Sequence, residues 1–424
     1  MSYQKIKGTI DYFGLQTKKR RYVEDILRDI CLKYNMEEVI LPTIENTEVF
    51  VRSSGEGSDV VTKEMYTFLD KGNRSITLRP EGTAGVVRSF LENKLYVNPG
   101  LKKYFYTGPM FRYERPQAGR YREFNQFGVE FFAVDSYLLD ACVIALGYEI
   151  LKKLGFSDDN FILHVNTIGN MESRTNYTKA LVDYFTPVID NLCPDCKNRL
   201  EKNPMRILDC KVDKDNEILI KAPKIKDYLT DESKEYFNGL LKTLDNLGIK
   251  YVVDDNLVRG LDYYTDTVFE FISQGNDALS GLAIIAGGKY ADLVRTFGGP
   301  DTPGIGFGIG LERIIGLLDS FNLYPSDIDK QVDYVVIGLD PDTKVYTFKV
   351  AKMLRDLGKV IELDYANTSF KAQFKVVDRV NPKYILIFGE EEVKNNVVTI
   401  KDNKTGEQKT VKFDEFMESI KKGE

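Results

Sequence analysis

Between residues 304 and 310 the chain reads GIGFGIG, with Gly304, Gly306, Gly308 and Gly310 at every second position. Side chains alternate between the two faces of a strand, so glycine at each alternate place strips one whole face bare. What remains is a flat floor on which a planar group can lie. Arg313 follows at the opening of the next helix, where it can meet the same ligand. The run does not fit GxGxxG, because Ile309 stands where the third glycine belongs, and no GxxxxGK[ST] loop occurs in the chain.

Two other strand-like segments carry unusual charge. Residues 104–133 read as two apolar strands holding a loop with Arg112, Arg115, Arg120 and Arg122. Glu114, Gln126 and Glu130 fall where the strand pattern points inward. Unpaired buried charge is very costly, so such a face implies a charged ligand. Clustered guanidiniums suit a polyphosphate, which they grip through paired hydrogen bonds. The plainer reading is a solvated, salt-bridged hairpin, since charge runs usually face water. A second segment weighs against it: residues 257–271 place Arg259 among apolar neighbours, followed by Asp262, Tyr263 and Tyr264.

Together these segments resemble the class II aminoacyl-tRNA synthetases, and specifically the bacterial histidyl-tRNA synthetase family. VILPTIE at 39–45 resembles motif 1, the dimer-interface element. Residues 104–133 resemble motif 2, with its FR-x-E core at Phe111, Arg112, Tyr113 and Glu114, and residues 304–313 resemble motif 3 with its closing GLER. LVRGLDYYT from Leu257, AGGKY at 286–290 and the loop TLRPEGT at 77–83 are similar to segments of the histidine enzymes. The resemblance runs almost end to end.

It implies an α+β class II catalytic core, an antiparallel sheet flanked by helices, with a helical insertion and a C-terminal α/β anticodon-binding domain. The core is expected over residues 1–325, since 321–331 (FNLYPSDIDKQ) reads as a polar linker. The insertion is expected at about 171–249, where Lys and Asp increase and strand alternation stops. Residues 331–424 alternate strand and helix, which predicts a largely parallel sheet; SFKAQFK at 369–375 resembles the histidine enzymes' version of this domain. Helices are predicted at 17–34, 83–91 and 137–154, and strands at 38–41, 75–79 and 161–167. An apolar face from Val23 to Leu41 is expected to be exposed in a monomer, which favours a homodimer.

The net charge of −6 weighs against nucleic-acid binding without excluding local basic patches. No apolar run has membrane-spanning length and the first residues lack a signal-peptide core, so no membrane partner is expected. Five cysteines in 424 residues form no disulfide framework, and a cytoplasmic location follows. Cys193, Cys196 and Cys210 invite a zinc reading, but with no fourth Cys or His nearby no zinc is expected. The single histidine, His164, sits in an apolar strand and is expected to be structural.

The resemblance implies a histidine–tRNA ligase with ATP, L-histidine and tRNA(His) as partners and Mg2+ entering with ATP. Activation joins two anions and builds negative charge, so fixed cations are the catalytic device expected. Arg259, Arg112 and Arg313 would be catalytic, Arg259 bridging the histidine carboxylate and the α-phosphate. Arg112 would hold the α-phosphate, with Arg120, Arg122 and Arg313 toward the outer phosphates. Phe124 would lie on the adenine and Glu114 would read its edge. Glu130 and Tyr264 would meet the imidazole nitrogens, and Glu81, Thr83 and Gln126 the α-amino group, with Gly82 and Tyr263 completing the histidine pocket. The rival implied by the family is a non-catalytic, histidine-sensing regulatory subunit of ATP phosphoribosyltransferase; such paralogues lose parts of the arginine set and the C-terminal domain.

Overall fold

In the computed structural model, residues 3–423 are described except 56–57, 59, 211, 259–262, 276–277, 330 and 367–368. Two compact units emerge, Met1–Pro325 and Ser326–Glu424.

The first unit opens with α1 (Leu15–Lys33), whose Val23, Leu27, Ile30 and Cys31 recur at helical spacing and are all buried. The helix stops where Asn35 adopts a left-handed φ of 53°. Strands β1 (Glu37–Glu38), β2 (Ile44–Asn46), β3 (Tyr66–Leu69) and β4 (Ser75–Leu78) follow, with α2 (Thr47–Ser54) between β2 and β3 and α3 (Thr83–Glu92) after β4. The long hairpin β5 (Lys102–Phe111) and β6 (Glu123–Phe132) leads into α4 (Tyr137–Lys153) and β7 (Phe161–Thr167). Helices α5 (Met171–Phe185), α6 (Pro194–Lys202), α7 (Glu217–Ile220) and α8 (Asp231–Asn246) form the insertion. The unit closes with β8 (Val252–Val253), β9 (Thr265–Ser273), β10 (Ala283–Tyr290), α9 (Leu293–Thr296), β11 (Gly304–Gly310) and α10 (Leu311–Ser320).

Eight of these strands make one sheet in the order β1-β5-β6-β11-β10-β9-β7-β8, while β2-β4-β3 form a small separate sheet. The large sheet is antiparallel except at its rims, where β1 runs parallel to β5 and β8 to β7. Its register decides which residues share a face. Glu130 stands opposite Tyr104 on one side and Gly306 on the other, and Gly128 opposite Tyr106 and Gly308. The alternate residues Phe105, Phe127, Phe131, Ile305, Phe307 and Ile309 point the other way and pack with α1, α4 and α10 into the main core. Each such fully buried side chain is worth about 1.5–3 kcal/mol. The glycine-bearing face is instead covered only in part, by α3 and α9 through Val86, Phe90 and Leu293.

Two expectations change here. The apolar face of α1 covers the sheet and is not exposed, because Val23 and Leu27 lie in the main core; the exposed apolar residues of the motif 1 segment include Ile40, 88% exposed, and Ile44. Strand pairing at 38–41 shrinks to Glu37–Glu38. Within the insertion, Tyr177, Leu181, Phe185 and Ile207 form a separate small core, whereas α8 sends Leu240 and Leu244 into the main one.

The second unit contains β12 (Tyr334–Gly338), α11 (Pro341–Asp356), β13 (Ile361–Leu363), α12 (Phe370–Val380), β14 (Tyr384–Phe388), α13 (Glu390–Lys394), β15 (Val397–Asp402), β16 (Gln408–Lys412) and α14 (Phe413–Lys422). Its sheet order is β13-β12-β14-β15-β16, the first three parallel and the last two antiparallel. Strand β16 has no counterpart among the predicted elements: its QKTVK sequence lies on the edge, mostly exposed, and has no apolar face to read. Capping is orthodox, with Asp340 and Thr343 closing a capping box around Pro341 and Ser369 capping α12.

Candidate active site

Two kinds of charge meet on the glycine-bearing face. At one end are two buried carboxylates, Glu81 and Glu130. Glu130 enters through β6, beside the bare position of Gly306, where an added Cβ would stand 2.2 Å from Glu130 Oε2. The Thr83 hydroxyl donates to Glu130 Oε1 at 2.6 Å, and the Tyr290 hydroxyl donates to Oε2. Burial pushes the Glu130 carboxyl up to about 8, against the pull of hydrogen bonds from Thr83, Tyr290 and Tyr106 and with the push of nearby Glu81. Glu81 is also raised, by burial first, while the backbone N–H of Ala84 (3.0 Å) and the charge of Arg112 draw it down. Tyr106, Tyr263, Tyr264 and Tyr290 wall this end. Tyr263 and Tyr264 lie with ring centroids 4.6 Å apart, and Tyr263 meets Tyr290 edge-on at 5.7 Å. The floor needs its glycines: a Cβ on Gly288 would meet the Tyr264 ring at 2.8 Å, and one on Gly82 or Gly128 would strike Tyr106.

At the other end are guanidiniums. Arg112 donates from Nε to Pro80 O (2.8 Å), and its charge lies 5.3 Å over the Phe124 ring. Arg120 donates to Glu114 Oε2 at 3.2 Å, while its buried Nε has no hydrogen-bond partner among the described residues. Arg313 is held by two backbone carbonyls, Gly119 O (3.1 Å) and Ala283 O (2.8 Å). Its pKa is lowered by burial first, then by Arg120, while Glu114, Arg112 and Glu270 act more weakly. Like charges are thus gathered with an unused N–H among them, an arrangement that an arriving polyanion relieves.

Most of the expected site residues share this face. Arg122 has a different neighbourhood: its guanidinium stacks 4.1 Å over Tyr113 and donates to Glu114 O at 3.4 Å, and its backbone N–H donates to Gly8 O. Gln126 lies partly buried in the row of Gly108 and Gly310. Thr83 spends its hydroxyl on Glu130. Arg259 falls outside the described residues, as does Asp262. His164 bonds Asp254 Oδ2 at 3.0 Å at the far side of the sheet, which suits the structural role expected of it.

Sequence reasoning missed Tyr290 and Tyr106 as partners of Glu130. The AGGKY segment contained a signal, because two glycines beside a tyrosine on one strand face make room for its ring. It also missed Glu312, whose carboxylate accepts from the backbone and side chain of Asn125 (2.9–3.0 Å) and locks α10 to β6. Lys289 went unread as well: buried, it pairs with Asp135 (2.5 Å) and Asp266 (3.2 Å) beneath Tyr236 of α8. An open cavity of about 490 Å³ adjoins Tyr263, rimmed by Arg52 and Arg174, next to the chemistry rather than at it.

A sequence model for the family described as Histidyl-tRNA synthetase matches residues 8–314, and one described as Anticodon binding domain matches residues 333–423. The chain is 46% identical over 424 residues to the histidine–tRNA ligase of Bacillus licheniformis, covering 99% of each. It is 47% identical over 419 residues to that of Ligilactobacillus salivarius, covering 97% of this chain and 96% of the relative. Among solved structures, apo histidyl-tRNA synthetase of S. aureus superposes with a TM-score of 0.85 at 38% identity, covering 99% of this chain and 100% of the other.

Proposed function

The chain belongs to the histidyl-tRNA synthetase family, and from that premise we propose how its residues divide the work. It is an ATP-dependent histidine–tRNA ligase. The carrying observation is the opposed polarity of one sheet face: buried carboxylates Glu81 and Glu130 at one end, and gathered guanidiniums Arg112, Arg120 and Arg313 at the other.

Histidine lies with its ammonium toward Glu81 and Gln126 and its imidazole between Glu130 and Tyr264, in the tyrosine-walled end. Glu130 prefers a partner that brings a proton, because burial favours its protonated form. Imidazolium supplies one. The histidine carboxylate then points toward Arg112, and the bridging role between it and the α-phosphate is assigned to Arg259 on the family resemblance. ATP lies with adenine on Phe124, its edge at Glu114, and its phosphates on Arg112, Arg120 and Arg313, with Arg122 steadying the loop. A carboxylate oxygen attacks the α-phosphorus, the bond to the β-phosphate oxygen breaks, and pyrophosphate leaves. Negative charge spreads over the phosphoryl oxygens in that transition state, and the fixed guanidiniums answer it without a general base. In the second step a terminal ribose hydroxyl of tRNA(His) attacks the histidyl carbonyl, AMP leaves with the electron pair of the broken bond, and the hydroxyl proton passes to the departing phosphate.

Magnesium would enter with ATP, held mainly by its phosphate oxygens, and would supply charge neutralisation there. Glu270, a carboxylate whose charge acts on Arg313, would be a hard oxygen donor of the kind it accepts. Residues 1–325 act as the catalytic core with the insertion at about 171–249, and residues 331–424 read the anticodon. On α12, Lys371, Lys375 and Arg379 are exposed at spacings of four, one face of basic side chains suited to phosphates. A homodimer is proposed on Ile40, Ile44, Phe68 and Leu69, all exposed on the motif 1 segment and the small sheet beside it. Free cysteines support a cytoplasmic location, and no helix among the described residues is long and apolar enough to cross a membrane. A histidine-sensing regulatory subunit would need the carboxylate end alone; the guanidinium cluster and the anticodon-family unit favour the ligase. Pyrophosphate exchange with ATP is the test: exchange with histidine alone among the amino acids is expected, and exchange with another amino acid would refute the pocket.

A further inference from the structure

We propose that Cys193, Cys196, Cys210 and Asp213 hold one zinc ion that staples the insertion. These four residues stand outside the active site and none of the chemistry above uses them. Each offers one ligand atom, and all four atoms lie within 4.8 Å of one another. Cys193 Sγ is 3.6 Å from Cys210 Sγ, and Asp213 Oδ2 lies 3.3 Å from Cys196 Sγ and 3.4 Å from Cys210 Sγ. A tetrahedral zinc with Zn–S of about 2.3 Å and Zn–O of about 2.0 Å has S···S edges of about 3.8 Å and S···O edges of about 3.5 Å. The three edges therefore already have nearly the lengths such an ion imposes. A disulfide would need sulfurs about 2.05 Å apart, and all five cysteines are free.

Sequence spacing agrees once the fold has shown the fourth ligand. Cys193 and Cys196 are separated by two residues, as are Cys210 and Asp213, so the segment reads as a two-knuckle zinc pattern with Asp in the last cysteine's place. A search for Cys or His alone passes over it. Backbone groups support the cluster as outer-shell partners do in metal sites. The N–H of Asp213 donates to Cys210 Sγ (3.4 Å) and the N–H of Cys193 to Asp213 Oδ2 (2.9 Å). Cys193 is the N-cap of α6 and Cys196 lies in its first turn, so one helical turn presents both sulfurs to the same point.

The local fold gives the ion a purpose. Cys196 and Cys210 sit in the small core with Tyr177, Phe185 and Ile207. Around that core are α7, four residues long, and 3-10 turns of three to six residues. So small and irregular a core buries little apolar surface, and metals commonly make up the shortfall.

The test is metal content of the full chain, purified under reducing conditions without a histidine tag. About one zinc per chain is expected, falling below about a tenth of that in Cys196→Ser and Cys210→Ser, with Asp213→Cys retaining it. Because serine variants could misfold, chelator-stripped wild-type chain is also titrated with cobalt. Thiolate-to-cobalt charge-transfer absorption and the intense visible bands of a tetrahedral site are expected. Less than about a tenth of an equivalent of zinc together with no such absorption would overturn the proposal. So would a Cys193–Cys210 disulfide, seen as three titratable thiols in place of five in the denatured chain.

Discussion

Replacing Tyr290 by Phe deletes one hydroxyl and leaves the ring that packs on Tyr263 and Phe132. That hydroxyl donates to Glu130 Oε2, and both side chains are buried. A hydrogen bond to an ionised group is worth about 1.5–3 kcal/mol, so the ionised form of Glu130 loses that support while the protonated form loses less. At about 1.4 kcal/mol per pKa unit, the Glu130 carboxyl moves up by about one to two units, from a starting value already raised to about 8. Histidine binding pairs the carboxylate with imidazolium, a complex holding one proton. Affinity is therefore greatest between the imidazole value of about 6.5 and the Glu130 value. Below this window a proton must leave for binding, and above it one must be taken up. Tyr290→Phe should weaken histidine about ten- to a hundredfold at neutral pH and carry the alkaline limb upward by one to two units, leaving ATP unaffected. The assay is the KM for histidine in pyrophosphate exchange across pH at saturating ATP, with the KM for ATP as control. An unchanged histidine KM, or equal losses for both substrates, would refute the reasoning. Stability of the unliganded chain has a related sign: a carboxyl whose folded pKa is raised binds its proton more tightly folded than unfolded. Glu130 and Asp140, the latter pushed to about 7 by burial, thus cost stability as pH rises from their ordinary carboxyl range through those values.

Arg259→Ala should preserve folding, checked by circular dichroism, and lower pyrophosphate exchange about 100- to 1,000-fold or more, as loss of a charge-stabilising group typically does; near-normal exchange would remove it from the mechanism. Gly306→Ala places a Cβ 2.2 Å from both Glu130 Oε2 and the backbone carbonyl of Val129. The carbonyl cannot rotate away, so a loss of about 1–3 kcal/mol is expected in denaturant melts, with a raised histidine KM. Truncation before Ser326 should leave pyrophosphate exchange largely intact, because the proposed substrate residues precede it; tRNA charging should fall much further and tRNA binding should lose salt sensitivity. Ile40→Asp, a charge placed on a residue 88% exposed, should split the dimer without unfolding the protomer; a sedimentation profile identical to wild type would move the interface elsewhere.

Much of this protein is legible along the chain wherever the signal is local. The predicted strand at 161–167 matches β7 residue for residue, and α12 begins and ends near its capping Ser369 and left-handed Asn381. Periodicity and caps act over a few residues, so short-range physics sets them. The alternating glycines likewise announced a bare strand face before any neighbour was known. Edge strand β16 escaped because its exposed residues carry no pattern. The apolar stripe of α1 was correctly helical, but a stripe does not say whether sheet or partner subunit covers it.

The site itself was decided at longer range. Thr83 meets Glu130 across 47 positions of sequence and Tyr290 meets the same carboxylate across 160, through pairings set by sheet register and by α3 folding over the glycine floor. Asp213 looked like any surface carboxylate until the chain's turn brought it to three thiols. The sequence by itself determined the elements, their order and the residue types that this chemistry requires. Which side chain faces which, and therefore which charges are buried together and shifted, was decided only by tertiary structure. Hydrogen bonds and desolvation depend on distances of a few ångströms between groups that the covalent chain leaves far apart.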